Sequence, residues 1–172
     1  GEDLGVPLRR RTGSLMGAGG VGRVAALKLA STGIKRLHLI NRTQSKAKAV
    51  ARDIQDKFPE VETSLEYPLK GTPVDLILNA TSLGLKADDP LPLNLESIDL
   101  KNVSHVYDMI YQPSQTPFLR KAEQAGCRTA NGLGMLLYQG TAALEIWTGQ
   151  TAPTSTMRTA LHEHVYGKIS KH

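Results

Sequence analysis

Short apolar runs alternate along the chain with longer stretches of helical period. Ser14–Met16, Arg36–Ile40, Val61–Glu66, Val74–Leu78, Val103–Met109 and Cys127–Ala130 predict strands. Val21–Ser31, Ser45–Phe58, Pro117–Ala125, Asn131–Thr148 and Thr154–Val165 predict helices between and after them. Short strands alternating with helices are the pattern of a parallel sheet with crossover helices. Gly33 and Gly126 stand where a glycine would end the preceding helix, and Gly71–Pro73 and Pro90–Pro92 punctuate loops. The first strand is the least marked, since only Leu15 and Met16 are clearly apolar before Gly17. No internal repeat or long polar linker divides the pattern.

Composition narrows the class. With 172 residues, 40% apolar and 22% charged, the chain has the makeup of a soluble α/β domain and not of a disordered tail. Cys127 is the sole cysteine, which excludes a disulfide scaffold. No run of about 18 apolar residues could span a bilayer, so no membrane role is expected. Gly1–Arg11 lacks the apolar core of a signal peptide, and the chain reads as a processed or excised piece of a cytoplasmic protein.

The net charge of +5 and the pI near 9.4 permit anionic partners. Basic residues cluster at Arg9–Arg11, Lys35–Arg36, Lys46–Lys48, Arg120–Lys121 and the last five positions, but aromatic rings do not interleave with them. A nucleic-acid groove needs such stacking rings, so no nucleic-acid partner is expected; a small anion such as phosphate fits the charge better.

Gly17-Ala18-Gly19-Gly20-Val21-Gly22 fits G-x-G-x-x-G between an apolar strand and an Ala/Leu-rich helix. That spacing gives a tight turn, close backbone approach to a pyrophosphate and a helix N-terminus facing the anion. A dinucleotide site usually carries an acid about 20 residues later to hold the ribose 2′-hydroxyl of NAD. Here Asn41-Arg42-Thr43 occupies that place, with Lys46 one helical turn on. An acid would repel a 2′-phosphate, whereas these groups can bind it, which favours NADP(H) over NAD(H). The fold class predicted is α/β: a Rossmann-like, doubly wound, mostly parallel sheet with helices on both faces.

Three further segments carry unusual residues. Asn79-Ala80-Thr81-Ser82-Leu83-Gly84 follows a buried-looking strand, at the sheet edge where ligands bind. Tyr107-Asp108-Met109-Ile110-Tyr111 ends another strand. In the apolar stretch from Asn131 to Thr148, Met135, Gln139, Ala142 and Ile146 share one helix face, where a glutamine must bond a neighbour or face a polar ligand.

Together with Gly17–Gly20, Asn41–Thr43, Thr116-Pro117-Phe118-Leu119, Gly132-Leu133-Gly134-Met135-Leu136 and Gln139-Gly140, these blocks resemble the nucleotide-binding half of shikimate dehydrogenases. The resemblance spans Gly17 to about Gly149 and implies an NADP-dependent reduction of 3-dehydroshikimate to shikimate, in aromatic amino-acid biosynthesis. It further implies that Gly17, Ala18, Gly19, Gly20 and Val21 hold the pyrophosphate, and that Asn41, Arg42, Thr43 and Lys46 hold the 2′-phosphate. Thr81, Met109 and Gly132 complete the cofactor site, the last two beside the nicotinamide, and Tyr111 and Gln139 contact the substrate.

The family's catalytic Lys and Asp precede the glycine turn in a domain for which sixteen residues leave no room, so no catalytic residue is expected within these 172 residues and the isolated chain is expected to be inactive. Residues 1–12 read as a lead-in remnant, 13–150 as the NADP-binding domain and 151–172 as a C-terminal helix and tail. A quinate/shikimate dehydrogenase, a non-catalytic nucleotide-binding or regulatory module, and assembly as a homodimer stay open. His162 and His164 point to different helix faces and read as solvent-exposed residues without a metal. Cys127 reads as buried and inert, and Asp108 more as a bond to loop backbone than as a base.

Overall fold

The computed structural model describes residues 7–167 and contains strands β1 (Thr12–Met16), β2 (Arg36–Ile40), β3 (Glu62–Ser64), β4 (Val74–Asn79), β5 (Val103–Asp108) and β6 (Arg128–Asn131). The helices are α1 (Gly20–Ser31), α2 (Gln44–Lys57), α3 (Pro117–Gln124), α4 (Leu133–Thr148) and α5 (Thr154–Tyr166). All neighbouring strands pair in parallel, in the order β3-β2-β1-β4-β5-β6. After β3 the chain crosses back to the far side of β1. The connections leaving β1 and β4 therefore diverge, and a crevice opens at their carboxyl ends, the place where doubly wound sheets bind ligands.

Side-chain alternation separates two cores. Leu15, Leu37, Leu39 and Leu78 face α1 and α2 through Ala26, Leu29, Ala30, Ala47, Val50 and Ile54. Met16, Ile77 and Val106 face the other way, onto Phe118, Leu119 and Ala122 of α3 and onto Leu93, Ile98 and Leu100. Those last three belong to an extended connection between β4 and β5 whose only regular element is a short 3-10 turn, Leu100–Asn102. Cys127 is buried in this second core, where burial pushes its thiol upward and its Sγ–H donates to the Leu100 carbonyl. Gly33 and Gly126 end their helices with φ of 77° and 91°.

The predicted elements are all present, with three shifts. β1 begins at Thr12, inside the segment read as lead-in, and the third strand is confined to Glu62–Ser64. The last apolar helix starts at Leu133, because Asn131 completes β6 and its side chain accepts from the Leu133 N–H instead of joining the helix. Residues 1–6 of the expected lead-in, and 168–172 of the expected tail with its terminal basic residues, lie outside the described residues.

Helices α4 and α5 pack on each other but contribute little to the core. Only Leu137 and Thr141 of α4 are buried and none of α5, while Ile146 and Trp147 are each 81% exposed.

His38, in the middle of β2, is 7% exposed and donates from Nδ1 to the Glu66 carbonyl. Burial lowers its pKa; the Glu66 carbonyl opposes the shift and Arg36 adds to it. The folded chain therefore resists a proton that the unfolded chain accepts below its ordinary pKa of about 6.5, so His38 removes stability as pH falls through that value. Chemical unfolding between pH 7.5 and 5.5 should show a shallower loss in His38→Gln than in the parent; parallel curves would disprove the assignment.

Candidate functional site

The glycine turn and the strand end that carries it are held by two backbone hydrogen bonds and one side chain. The Gly17 N–H donates to the Ile40 carbonyl, the Ala80 N–H to the Met16 carbonyl, and the Ala18 N–H to Asn41 Oδ1 at 3.0 Å. Gly17 has φ of +100°, and a Cβ there would lie 2.9 Å from the Ala80 oxygen. A Cβ on Gly22 would stand 2.1 Å from the Gly17 oxygen, so α1 can sit this close to its own strand only without a side chain. Gly19 and Gly20 are different, since a Cβ on either would meet nothing within 4 Å. The turn is packed on its inner side and open on its outer side. At its mouth, α1 starts from Gly19 with no side-chain cap and no acid in its first turn, leaving amide N–H groups directed at the opening.

Beside this opening, the end of β2 supplies two kinds of residue. Asn41 is a brace: its Oδ1 accepts from Ala18 and its Nδ2 donates to the Thr43 carbonyl. Arg42, Thr43 and Lys46 are exposed, and none of their side chains has a partner among the described residues. Thr43 precedes α2 without capping it, and the first turn of α2 contains no acid. Arg23 is directed elsewhere, its Nε 2.6 Å from Asp53 of α2, a bond that holds the Asp53 carboxyl below its usual range. The other exposed pairs, Arg11–Asp75 and Arg36–Glu62, lie at the opposite end of the sheet.

The far wall is built on the ends of β4 and β5. Asn79 is fully buried, accepts at Oδ1 from both the N–H and the hydroxyl of Thr81, and donates from Nδ2 to Asp108 at 2.9 Å. Asp108 is also fully buried and accepts further from the Ile110 N–H and the Thr116 hydroxyl. Thr116 in turn caps α3 by accepting from the Leu119 N–H. Burial raises the Asp108 pKa while these donors draw it back. The reading of Asp108 as a bond to loop structure is borne out, and a residue sealed in this way has no access to a substrate. Thr81 uses its hydroxyl internally and turns its methyl toward Gly17.

At the end of β6, Gly132 donates from its N–H to the Ile110 carbonyl, and a Cβ on it would lie 2.0 Å from the Met109 oxygen. The structure thus brings Met109 and Gly132 into contact. Gln139 is exposed on α4 and bonds no described residue, and nothing links it directly to Tyr111.

Among the described residues, no group of three or more His, Cys, Asp or Glu could hold a metal ion, and no helix is long and apolar enough to cross a membrane. His164 is exposed as expected, but His162 is not: it is half-buried, edge-on to Tyr166 at 5.0 Å, with Nδ1 unpartnered. Clefts of about 370 Å³ beside α3 and β6, and about 470 Å³ at the β2–β3 edge, do not include the glycine turn. The candidate site is an open surface groove.

An open glycine turn at an uncapped helix N-terminus, on the switch point of a doubly wound parallel sheet, defines a dinucleotide-binding α/β domain. The model of the family described as shikimate / quinate 5-dehydrogenase matches residues 4–84, and that of the shikimate 5′-dehydrogenase C-terminal domain matches 132–162. The shikimate dehydrogenase (NADP(+)) of Desulforamulus reducens is 41% identical over 88% of this chain and 54% of its own length. A crystal structure of shikimate dehydrogenase in complex with NADP+ is 32% identical with a TM-score of 0.76, covering 95% of this chain and 58% of that one. The ligand-free 5-ketofructose reductase of Gluconobacter sp. strain CHM43 is 33% identical with a TM-score of 0.80, covering 95% and 60%. The chain is thus similar along most of its length to members of the shikimate/quinate dehydrogenase family, and it spans about half the length of the curated relatives it matches.

Two substitutions separate the packed from the open side of the turn. Gly22→Ala should cost about 1–3 kcal/mol through overpacking and lower the melting temperature by several degrees, whereas Gly19→Ala should melt with the parent. Differential scanning calorimetry measures both, and equal melting points for the two variants would refute this division.

Proposed function

We propose that this chain is the NADP(H)-binding part of a shikimate dehydrogenase. The carrying observation is the pairing of the open Gly19–Gly20 turn with exposed, unpartnered Arg42, Thr43 and Lys46. The residues fit the group: a turn that leaves room at Gly19 and Gly20, helix N–H groups facing that room, and no acid in the first turn of α1 or α2. The names of the relatives, several with NADP, support the same choice.

In this reading the first-turn N–H groups of α1 hold the pyrophosphate and the Arg42 guanidinium pairs with the 2′-phosphate, assisted by Thr43 and Lys46. Asn41 keeps Ala18 in place and contributes through the turn. Thr81 shapes the inner wall with its methyl group, and Met109 and Gly132 border the nicotinamide, which when bound supplies the hydride for reduction of a substrate carbonyl. Tyr111 and Gln139 form one wall of the substrate cleft. Proton transfer falls to a Lys and an Asp in the half of the relatives' length that this chain does not span, so the 172 residues alone bind cofactor without turning over substrate. The free, buried thiol of Cys127 accords with a reducing, cytoplasmic setting.

The likeness to 5-ketofructose reductase favours a second reading in which the same cofactor half serves a keto-sugar substrate. Activity of the parent enzyme with 3-dehydroshikimate against 5-ketofructose separates the two.

Isothermal titration tests the cofactor assignment directly. NADPH should bind at least tenfold more tightly than NADH, and Arg42→Ala should weaken NADPH by about 1.5–3 kcal/mol while leaving NADH nearly unchanged. Equal losses for both would show that the 2′-phosphate is not held at Arg42.

A further inference from the structure

We infer that Tyr166, in the last turn of α5, is a positioning residue for the nicotinamide end of the groove. Its hydroxyl donates to the Tyr111 carbonyl at 2.5 Å and accepts from Asn131 Nδ2 at 3.0 Å. The same Asn131 side chain donates to the Ser114 carbonyl and accepts from the Leu133 N–H, which opens α4. One phenol thus joins the loop that leaves β5 to the turn that leaves β6. These segments already touch, through the Gly132 N–H on the Ile110 carbonyl and the close approach of Gly132 to Met109. Backbone contact brings the two segments together, and Tyr166 fixes how far apart they stand.

The bond is not a by-product of a packed helix. No residue of α5 is buried, yet this hydroxyl crosses 55 positions of sequence to Tyr111 and 35 to Asn131. Burial raises the phenol's pKa, so it remains a proton donor throughout the neutral range. The ring rests against His162, a contact that phenylalanine would preserve, which isolates the hydroxyl for study.

The inference rests on the cofactor reading for its functional meaning, because Met109 and Gly132 matter to catalysis only if they border the nicotinamide. A hydroxyl that merely stabilised the fold would affect all ligands alike. A hydroxyl that sets the gap between the two segments would affect only a ligand reaching that gap.

The experiment compares the 172-residue chain with Tyr166→Phe by isothermal titration against NADPH and against adenosine 2′,5′-bisphosphate, which lacks the nicotinamide half. It adds amide hydrogen exchange on both proteins without ligand. Tyr166→Phe should weaken NADPH about fivefold, the worth of one net hydrogen bond, and leave the bisphosphate within about twofold. Exchange should accelerate about fivefold at Met109–Tyr111 and Asn131–Leu133 and stay unchanged at Gly17–Gly22. Asn131→Leu should produce the same pattern, and the double variant should add little to either single one. Equal weakening of both ligands, or unchanged exchange at the two segments, overturns the inference. If the parent chain binds neither ligand while the exchange pattern appears as described, the cofactor reading fails and the Tyr166 tie stands.

Discussion

Three donors converge on the carboxylate of Asp108 at the end of β5, and the groove depends on that buried knot. Asn79 supplies one donor and passes its own carbonyl oxygen to Thr81, Ile110 supplies the second, and Thr116 supplies the third while capping α3. Parallel strands leave their carboxyl ends as loops with no partner strand to hold them. Here one acid holds both loops, the one carrying Thr81–Gly84 and the one carrying Met109–Tyr111. Removing any member would strand a buried polar group at a cost of about 1–3 kcal/mol, more where a charge is left alone, and would free the wall of the groove with it.

The opposite wall is made differently. Around Gly17 and Gly22 the contacts are backbone against backbone, with Asn41 as the one side-chain brace. Shape is set there by the absence of side chains, and on the far wall by the buried polar side chains of Asn79, Asp108 and Thr116. Charge is supplied by neither, but by Arg42 and Lys46, whose side chains, like that of Thr43 between them, carry no internal bonds among the described residues. Form and charge are thus assigned to separate residues. The groove can keep its geometry with no anion in it, because no folded contact waits for one.

Much of this was legible in the sequence because it rests on local spacing. Period-two and period-3.6 patterns located every strand and helix, and the glycine spacing located the turn, since its requirement is for missing side chains at fixed intervals. The Arg42 region stands out in the sequence for a similar reason, because the acid expected at the end of the second strand is absent. Contacts between distant segments were not readable. Asn41 looked like a ligand for phosphate, and only its register beside Ala18 makes it a brace. Asn131 looked like the start of a helix because its side chain's cap on Leu133 has no signature apart from the helix it precedes. Tyr166 carried no signal, since nothing in a terminal amphipathic helix indicates a bond to a carbonyl 55 residues earlier. His162 went astray likewise, being shielded by Tyr166 one turn further along the same helix.

The exposed end of α4 has an optical consequence. Trp147 is the chain's single indole, and it stands fifteen residues beyond Gly132, roughly 22 Å along a straight helix at about 1.5 Å per residue. The indole emission of this protein therefore originates far from the nucleotide groove, at an exposed side chain. It is a native reporter of whatever covers the apolar edge formed with Ile146, distinct in place from any signal that a cofactor would give.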